Sequence, residues 1–323
     1  MSSLSRTAAV PLLGIEIGGT KLQLAAGDSH GVIHHRVRLS VDRAAGAEGI
    51  RAQIAAALPE LIARGNPSAI GVGYGGPVDW RTGKIACSHH IAGWSDFPLA
   101  AWLSECSGLP AFVENDANTA ALGEALFGAG KGADPVLWMN SGSGVGGGLI
   151  TEGRIYHGAP PGEVELGHLR LERCGTITED LCSGWTLDRM VREAAAGAPD
   201  GPLARELSGW TAEGGEARAL GPALAEGDPL ALRILQEIAD SMAYALSHAV
   251  HLLHPEVIVL GGGVALLGEP LRERIASSLP RWLMEAFRPG PAIRLAALME
   301  DAVLIGALAV ASYRFPLHPP SSL

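Results

Sequence analysis

Short apolar runs at residues 12–17 and 22–26 flank the polar tetrad Gly18-Gly19-Thr20-Lys21. The same arrangement returns at 136–139 and 145–150, around the stretch NSGSG at 140–144. Runs of this length bounded by glycine read as buried strands. Each pair is therefore a strand, a glycine-rich turn and a second strand, and its recurrence points to two related halves. Helical spacing of apolar positions marks residues 44–64 and 303–313. The longest helix is expected at 229–253, with Asp228 as N-cap, Pro229 in the first turn and Pro255 as the stop. The run EVIVL at 256–260 reads as another buried strand, leading into Gly261, Gly262 and Gly263. Residues 194–227, rich in Ala, Gly and Pro, promise irregular or variably helical structure. Strands alternating with helices predict an α/β architecture.

Residues 117–126 form one more helical stretch, and here the pattern raises a chemical question. Asn115 and Asp116 stand between an apolar strand and the helix start. Both residue types cap helices by accepting hydrogen bonds from unpaired N–H groups. A carboxylate at such a corner can equally take a proton from a bound substrate. The local sequence leaves both readings open.

Composition narrows the function classes. With 47 % hydrophobic and 18 % charged residues, the 323-residue chain is globular and long enough for one large or two ordinary domains. A net charge of −10 argues against nucleic-acid wrapping, which needs a basic surface. An anionic ligand must then be held by local devices such as backbone N–H groups. Four cysteines without framework spacing, no cleavage pattern and no long uncharged apolar run lead us to expect a cytoplasmic protein that does not enter a membrane. The 43 glycines, about twice the usual share, gather in turns. Wrapping phosphate oxygens needs such turns, because side chains block the approach. The segment from Gly142 to Gly147 fits G-x-G-x-x-G only formally, since a strand rather than a helix follows it.

Seven stretches together resemble the ROK family of sugar kinases and sugar-responsive repressors, within the actin/hexokinase-like ATPases. They are EIGGTK (16–21), GGPVD (75–79), VENDANTAALGE (113–124), SGSGVGGG (141–148), ELGH (165–168), EDLCSG (179–184) and VIVLGGGV (257–264). The resemblance implies a two-domain actin-like (ribonuclease H-like) α/β fold with a cleft between the domains. One domain would comprise residues 1–116 plus 302–323, the other 117–301. It further implies an ATP-dependent hexose kinase of glucokinase type, with Mg²⁺ as metal and a homodimeric assembly. Asp116 would be the general base. Asn115, Glu165, His168, Glu179 and His90 would meet sugar hydroxyls. Gly18, Gly19, Thr20 and Lys21, with Gly142, Ser143 and Gly144, would hold the ATP phosphates. Gly261, Gly262 and Gly263 would lie by the adenosine, and Glu16 would reach the metal, directly or through water.

The departures from the family pattern are also legible. Relatives carry C-x-C-G-x-x-G-C after the histidine of ELGH, as part of a zinc site. Here the segment LRLERCGTITEDLCSG (169–184) keeps Cys174 and has Cys182 out of place, so no zinc is expected. Glu16 replaces the more usual Asp and Ser143 the commoner Thr. His90 stands where Asn is frequent, and PPGEVE (160–165) replaces N-G-x-A-G-E. The last two touch the sugar pocket, which keeps an N-acylamino-sugar such as N-acetylmannosamine or N-acetylglucosamine as the alternative substrate. Polyphosphate stays open as donor. A non-catalytic sugar-binding regulator is a further alternative. The family's repressors carry a DNA-binding domain before the first glycine loop, whereas only 13 residues precede Gly14 here, so no nucleic-acid partner is expected.

Overall fold

A computed structural model describes residues 8–86, 91–160, 162, 164–212 and 214–315. The chain divides into two compact units. The first contains Met1–Lys131, Gly153–Glu163 and Glu300–Leu323, and the second Gly132–Glu152 and Val164–Met299.

The first unit is built on strands β1 (Pro11–Ile17), β2 (Lys21–Asp28), β3 (Ile33–Ser40) and β4 (Ile70–Tyr74). A small antiparallel pair follows, β5 (Val78–Asp79) with β6 (Lys84–Ile85), and then β7 (Ala111–Asn115). The main sheet has the order β3-β2-β1-β4-β7, with β1, β4 and β7 parallel. Alternation along β1 sorts its two faces. Leu13, Ile15 and Ile17 join a core with Ile50, Ile54, Leu58 and Leu61 of helix Gly46–Gly65, and with the fully buried Trp94. Leu12 packs instead with Leu308 and Ala311 of helix Ala302–Arg314.

The second unit repeats the plan. Strands β8 (Val136–Ser141) and β9 (Val145–Thr151) form an antiparallel hairpin; the two-residue β10 (Arg154–Ile155) follows in sequence and belongs to the segment assigned to the first unit. Strands β11 (Val257–Gly261) and β12 (Ala292–Leu295) run parallel to β8, in the order β9-β8-β11-β12. Helix Pro229–Leu253 buries Leu235, Ile238, Met242 and Leu246 in one core with Leu137, Met139, Ile258 and Leu260. Its limits are those the sequence predicts, because Asp228 accepts the Leu230 N–H at 3.0 Å and His254 turns left-handed before Pro255. The strand–glycine turn–strand unit read twice in the sequence thus sits at the same place in both sheets, where β2-β1-β4 and β9-β8-β11 correspond.

The first unit extends past residue 116, where the sequence reading ended it, and takes in helix Asp116–Phe127 and the segment Gly153–Glu163. The reason lies in small residues. A Cβ on Gly306 would lie 1.8 Å from the Thr119 carbonyl oxygen, and one on Gly123 would lie 2.6 Å from that of Ala302. The two helices therefore pack backbone to backbone, and helix Asp116–Phe127 cannot be parted from the C-terminal helix.

Candidate active site

In the first unit, three parallel strands deliver their carboxyl ends side by side. Ile17 ends β1, Tyr74 ends β4 and Asn115 ends β7, with Ile17 level with Tyr74 and Tyr74 level with Asn115. The β1–β2 turn is closed by Gly18 N–H donating to the Lys21 carbonyl at 2.9 Å. Next to it, the Gly75 N–H donates to the Ile17 carbonyl at 2.9 Å, and the Asn115 amide reaches the Gly76 carbonyl at 3.3 Å. A Cβ on Gly75 would sit 3.4 Å from Asp116 Oδ2. The glycine loop, the GGP turn and the Asp116 carboxylate therefore meet at one end of the sheet. Such strand ends are where open α/β sheets bind ligands.

Asn115 is the N-cap: its Oδ1 accepts the N–H groups of Ala117 at 2.9 Å and Asn118 at 3.1 Å. Asp116 is the first residue of the helix. Negative charge in a first helical turn is favoured by the helix dipole. Glu16 is nearly buried, with Lys21 Nζ 3.0 Å from Oε1 and the Gln23 amide donating to Oε2 at 2.7 Å. Arg43 Nε donates to the Gly19 carbonyl at 3.0 Å, adding a cation beside the loop.

In the second unit, β8 and β11 end together, with Gly261 level with Asn140. This brings the loop of Gly142, Ser143 and Gly144 beside Gly261, Gly262 and Gly263. Gly262 is left-handed at φ 84°, and a Cβ there would lie 2.4 Å from the Ser141 carbonyl. The N-terminus of helix Gly184–Gly197 closes on the same loop, the Gly184 N–H donating to the Gly142 carbonyl at 2.7 Å. Glu179, expected among sugar contacts, is turned to this loop: its Oε2 accepts the Val145 N–H at 2.8 Å.

Glu165 and His168 stand together and exposed on a short 3-10 turn, Leu166–His168, with His168 Nε2 4.0 Å from Glu165 Oε2. His90 lies outside the described residues. The two cysteines near the expected zinc position differ in setting. Cys174 is exposed and donates to Glu172 Oε2 at 2.9 Å. Cys182 is fully buried, its thiol pushed up to about 12 by desolvation. Among the described residues no group of three His, Cys, Asp or Glu is placed to hold a metal ion, and no helix is long and apolar enough to cross a membrane.

The sequence reading missed a buried pair next to this site. Glu114, one residue before the cap, is 1 % exposed, and its Oε2 lies 2.7 Å from His157 Nε2. The available signal was a single carboxylate directly after the apolar run AFV, inside strand β7.

The ROK family pattern matches residues 12–314. The chain belongs to the ROK family. It is 30 % identical to a glucokinase of Thermotoga maritima over 315 residues, covering 94 % of this chain and 98 % of that protein. A glucokinase of Halalkalibacterium halodurans is 32 % identical over 308 residues, covering 91 % of this chain and 92 % of that protein. Among solved structures, a ROK family glucokinase from Streptomyces griseus, in complex with glucose and AMPPNP, superposes with a TM-score of 0.80 at 32 % identity. That match covers 94 % of this chain and 99 % of the other. The fold is accordingly the actin-like ATPase fold of ROK sugar kinases, and the enzyme class read from the residues is the class of the proteins this chain matches from end to end.

Proposed function

We propose that this ROK protein phosphorylates a hexose hydroxyl with ATP, and that Asp116 is its general base. The observation that carries the reading is the division of labour at the end of β7: Asn115 caps the helix, while the Asp116 carboxylate stands beside the GGP turn and the first glycine loop. In the reaction, the sugar oxygen forms a bond to the γ-phosphorus as the bond to the β,γ-bridging oxygen breaks. The hydroxyl proton passes to an Asp116 oxygen and ADP leaves.

The chain's other residues position and neutralise. Backbone N–H groups of both glycine turns, the Thr20 and Ser143 hydroxyls and the Lys21 ammonium suit phosphate oxygens. Gly261, Gly262 and Gly263 would border the adenosine. Mg²⁺ carried on the phosphates would offset their charge, and it characteristically keeps several waters. Glu16, already engaged by Lys21 and Gln23, fits contact through one of those waters. Exposed Glu165 and His168 offer acceptors and donors to sugar hydroxyls. Asn115 has one amide hydrogen beyond its bond to Gly76 for the same purpose.

A coupled ADP-release screen over hexoses and N-acylamino-sugars with Mg²⁺ and ATP, paired with a sugar-phosphate assay using polyphosphate as donor, tests the reading. Sugar-dependent ADP formation, greatest with glucose, is expected. No sugar-dependent turnover with any member of the panel would overturn it.

A further inference from the structure

Glu114 is a carboxylate with almost no surface, and its hydrogen bonds hold the turn that carries Asp116. Oε1 accepts the Asn115 N–H at 3.0 Å and the Asn118 amide at 3.1 Å. Oε2 faces His157 Nε2 at 2.7 Å. The Asn118 amide spends its other hydrogen on the Gly162 carbonyl at 3.1 Å. The His157 ring is about nine-tenths buried and stacks on the Trp80 indole, with centroids 4.0 Å apart and planes 15° from parallel. The Arg314 guanidinium lies 5.1 Å from the Trp80 ring centre.

An apolar residue at this position would pack with less desolvation cost, so stability alone is a weak reason for a buried carboxylate–imidazole pair. What the pair does achieve is geometric. Glu114 holds the peptide N–H one residue before Asp116 and the side chain two residues after it. His157 and Gly162 fasten the segment Gly153–Glu163 to the same turn. Asp116 is bracketed on both sides by groups that answer to one buried carboxylate, and that carboxylate is fixed in its rotamer by His157.

We propose that Glu114 and His157 are positioning residues for Asp116, setting the direction of its carboxylate toward the hydroxyl it deprotonates. No proton moves through the pair in this role. The inference rests on the kinase reading above, and its effect belongs on kcat rather than on the KM for ATP. A base displaced by about 1 Å loses on the order of 10²-fold in rate.

The test is a cycle of variants assayed for sugar-dependent ADP release. His157→Phe keeps a ring on Trp80 and removes the donor to Glu114; His157→Gln places an amide N–H near the former Nε2. In His157→Phe, kcat should fall roughly 10- to 100-fold with the KM for ATP unchanged. His157→Gln should recover most of that loss. Added to Asp116→Asn, His157→Phe should lower kcat no further, because residues acting as a unit are not additive. Additive losses, or a kcat unaffected by His157→Phe, would overturn the proposal. Should the wild-type chain phosphorylate no sugar, the kinase reading fails by itself. Hydrogen exchange then judges the pair: His157→Phe, but not His157→Gln, should speed exchange at amides 117–120. Unchanged exchange in His157→Phe would refute the positioning role.

Discussion

The Glu179 carboxylate occupies the space in which a side chain on Gly144 would begin. A Cβ on Gly144 would lie 2.5 Å from Glu179 Oε2, the same atom that accepts the Val145 N–H. Glycine at this position thus lets a half-buried carboxylate brace the loop proposed for phosphate. Gly144→Ala should displace that brace and raise the KM for ATP at least tenfold, with the melting temperature little changed. Glu179→Gln supplies the discriminating arm. Its amide oxygen can still accept the Val145 N–H, so the KM for ATP should stay within about twofold if bracing is the main role. A selective rise in the KM for sugar in Glu179→Gln would return Glu179 to the sugar contacts.

With Asn115 as the N-cap and Asp116 as the proposed base, their substitutions should separate cleanly. Asn115→Ala loses the acceptor for two N–H groups and should cost about 1 kcal/mol, within the usual range for an N-cap. Asp116→Asn should leave thermal stability and sugar affinity nearly unchanged while lowering kcat by roughly 10²–10⁴. Melting curves and calorimetric sugar binding alongside kcat check both halves. An Asp116→Asn enzyme with more than half of wild-type kcat would remove Asp116 from the base role.

These two cases show where the sequence is informative and where packing takes over. The two glycine-turned hairpins and helix Pro229–Leu253 were legible because local chemistry decides them: glycine at tight turns, Asp228 and Pro229 at a start, Pro255 after an end. The location of Asp116 at the end of a strand was legible for the same reason. Glu179 facing the glycine loop was not, since that depends on the space left by Gly144, 35 positions earlier in the chain. The Glu114–His157 pair spans 43 residues and joins two segments that no periodicity connects. The domain limit was displaced because Gly123 and Gly306 act through the helix that each allows to approach, which no single-helix pattern reveals.

Cys182 gives a pH prediction. Burial raises its thiol to about 12, against about 8.5 for an exposed cysteine, so the folded chain holds this proton where the unfolded chain has released it. The folded state then binds more protons, and stability falls as pH rises. The contribution is complete below pH about 8.5 and is lost progressively up to about 12. Denaturant midpoints measured from pH about 8 to 11 should decline, and Cys182→Ala should flatten the slope while lowering the plateau. Alkylation at pH about 8 should label Cys174 in the folded protein and spare Cys182. An unchanged slope in Cys182→Ala, or ready labelling of Cys182, would contradict its burial.

The metals separate catalytic from structural needs. A structural zinc site contributes folding free energy directly and closes with several soft ligands at short spacing. Here Cys174 is exposed and bonded to Glu172, whereas Cys182 is buried with its carbonyl engaged by the Ser141 hydroxyl. The segment after His168 is tied down by other means: Thr178 N–H donates to the Leu169 carbonyl at 2.9 Å, and the Ile177 N–H is taken by Asp180 at 3.0 Å. Those bonds supply the local order that a metal would otherwise provide. A zinc-selective chelator should therefore leave the melting temperature unchanged, and elemental analysis of protein purified without added metal should find well under one zinc per chain. Mg²⁺ should be needed for turnover, which its removal should abolish and its return restore, with the melting temperature indifferent to both steps. Stoichiometric zinc, with a chelator-induced fall in melting temperature, would mean that the loop depends on a metal after all.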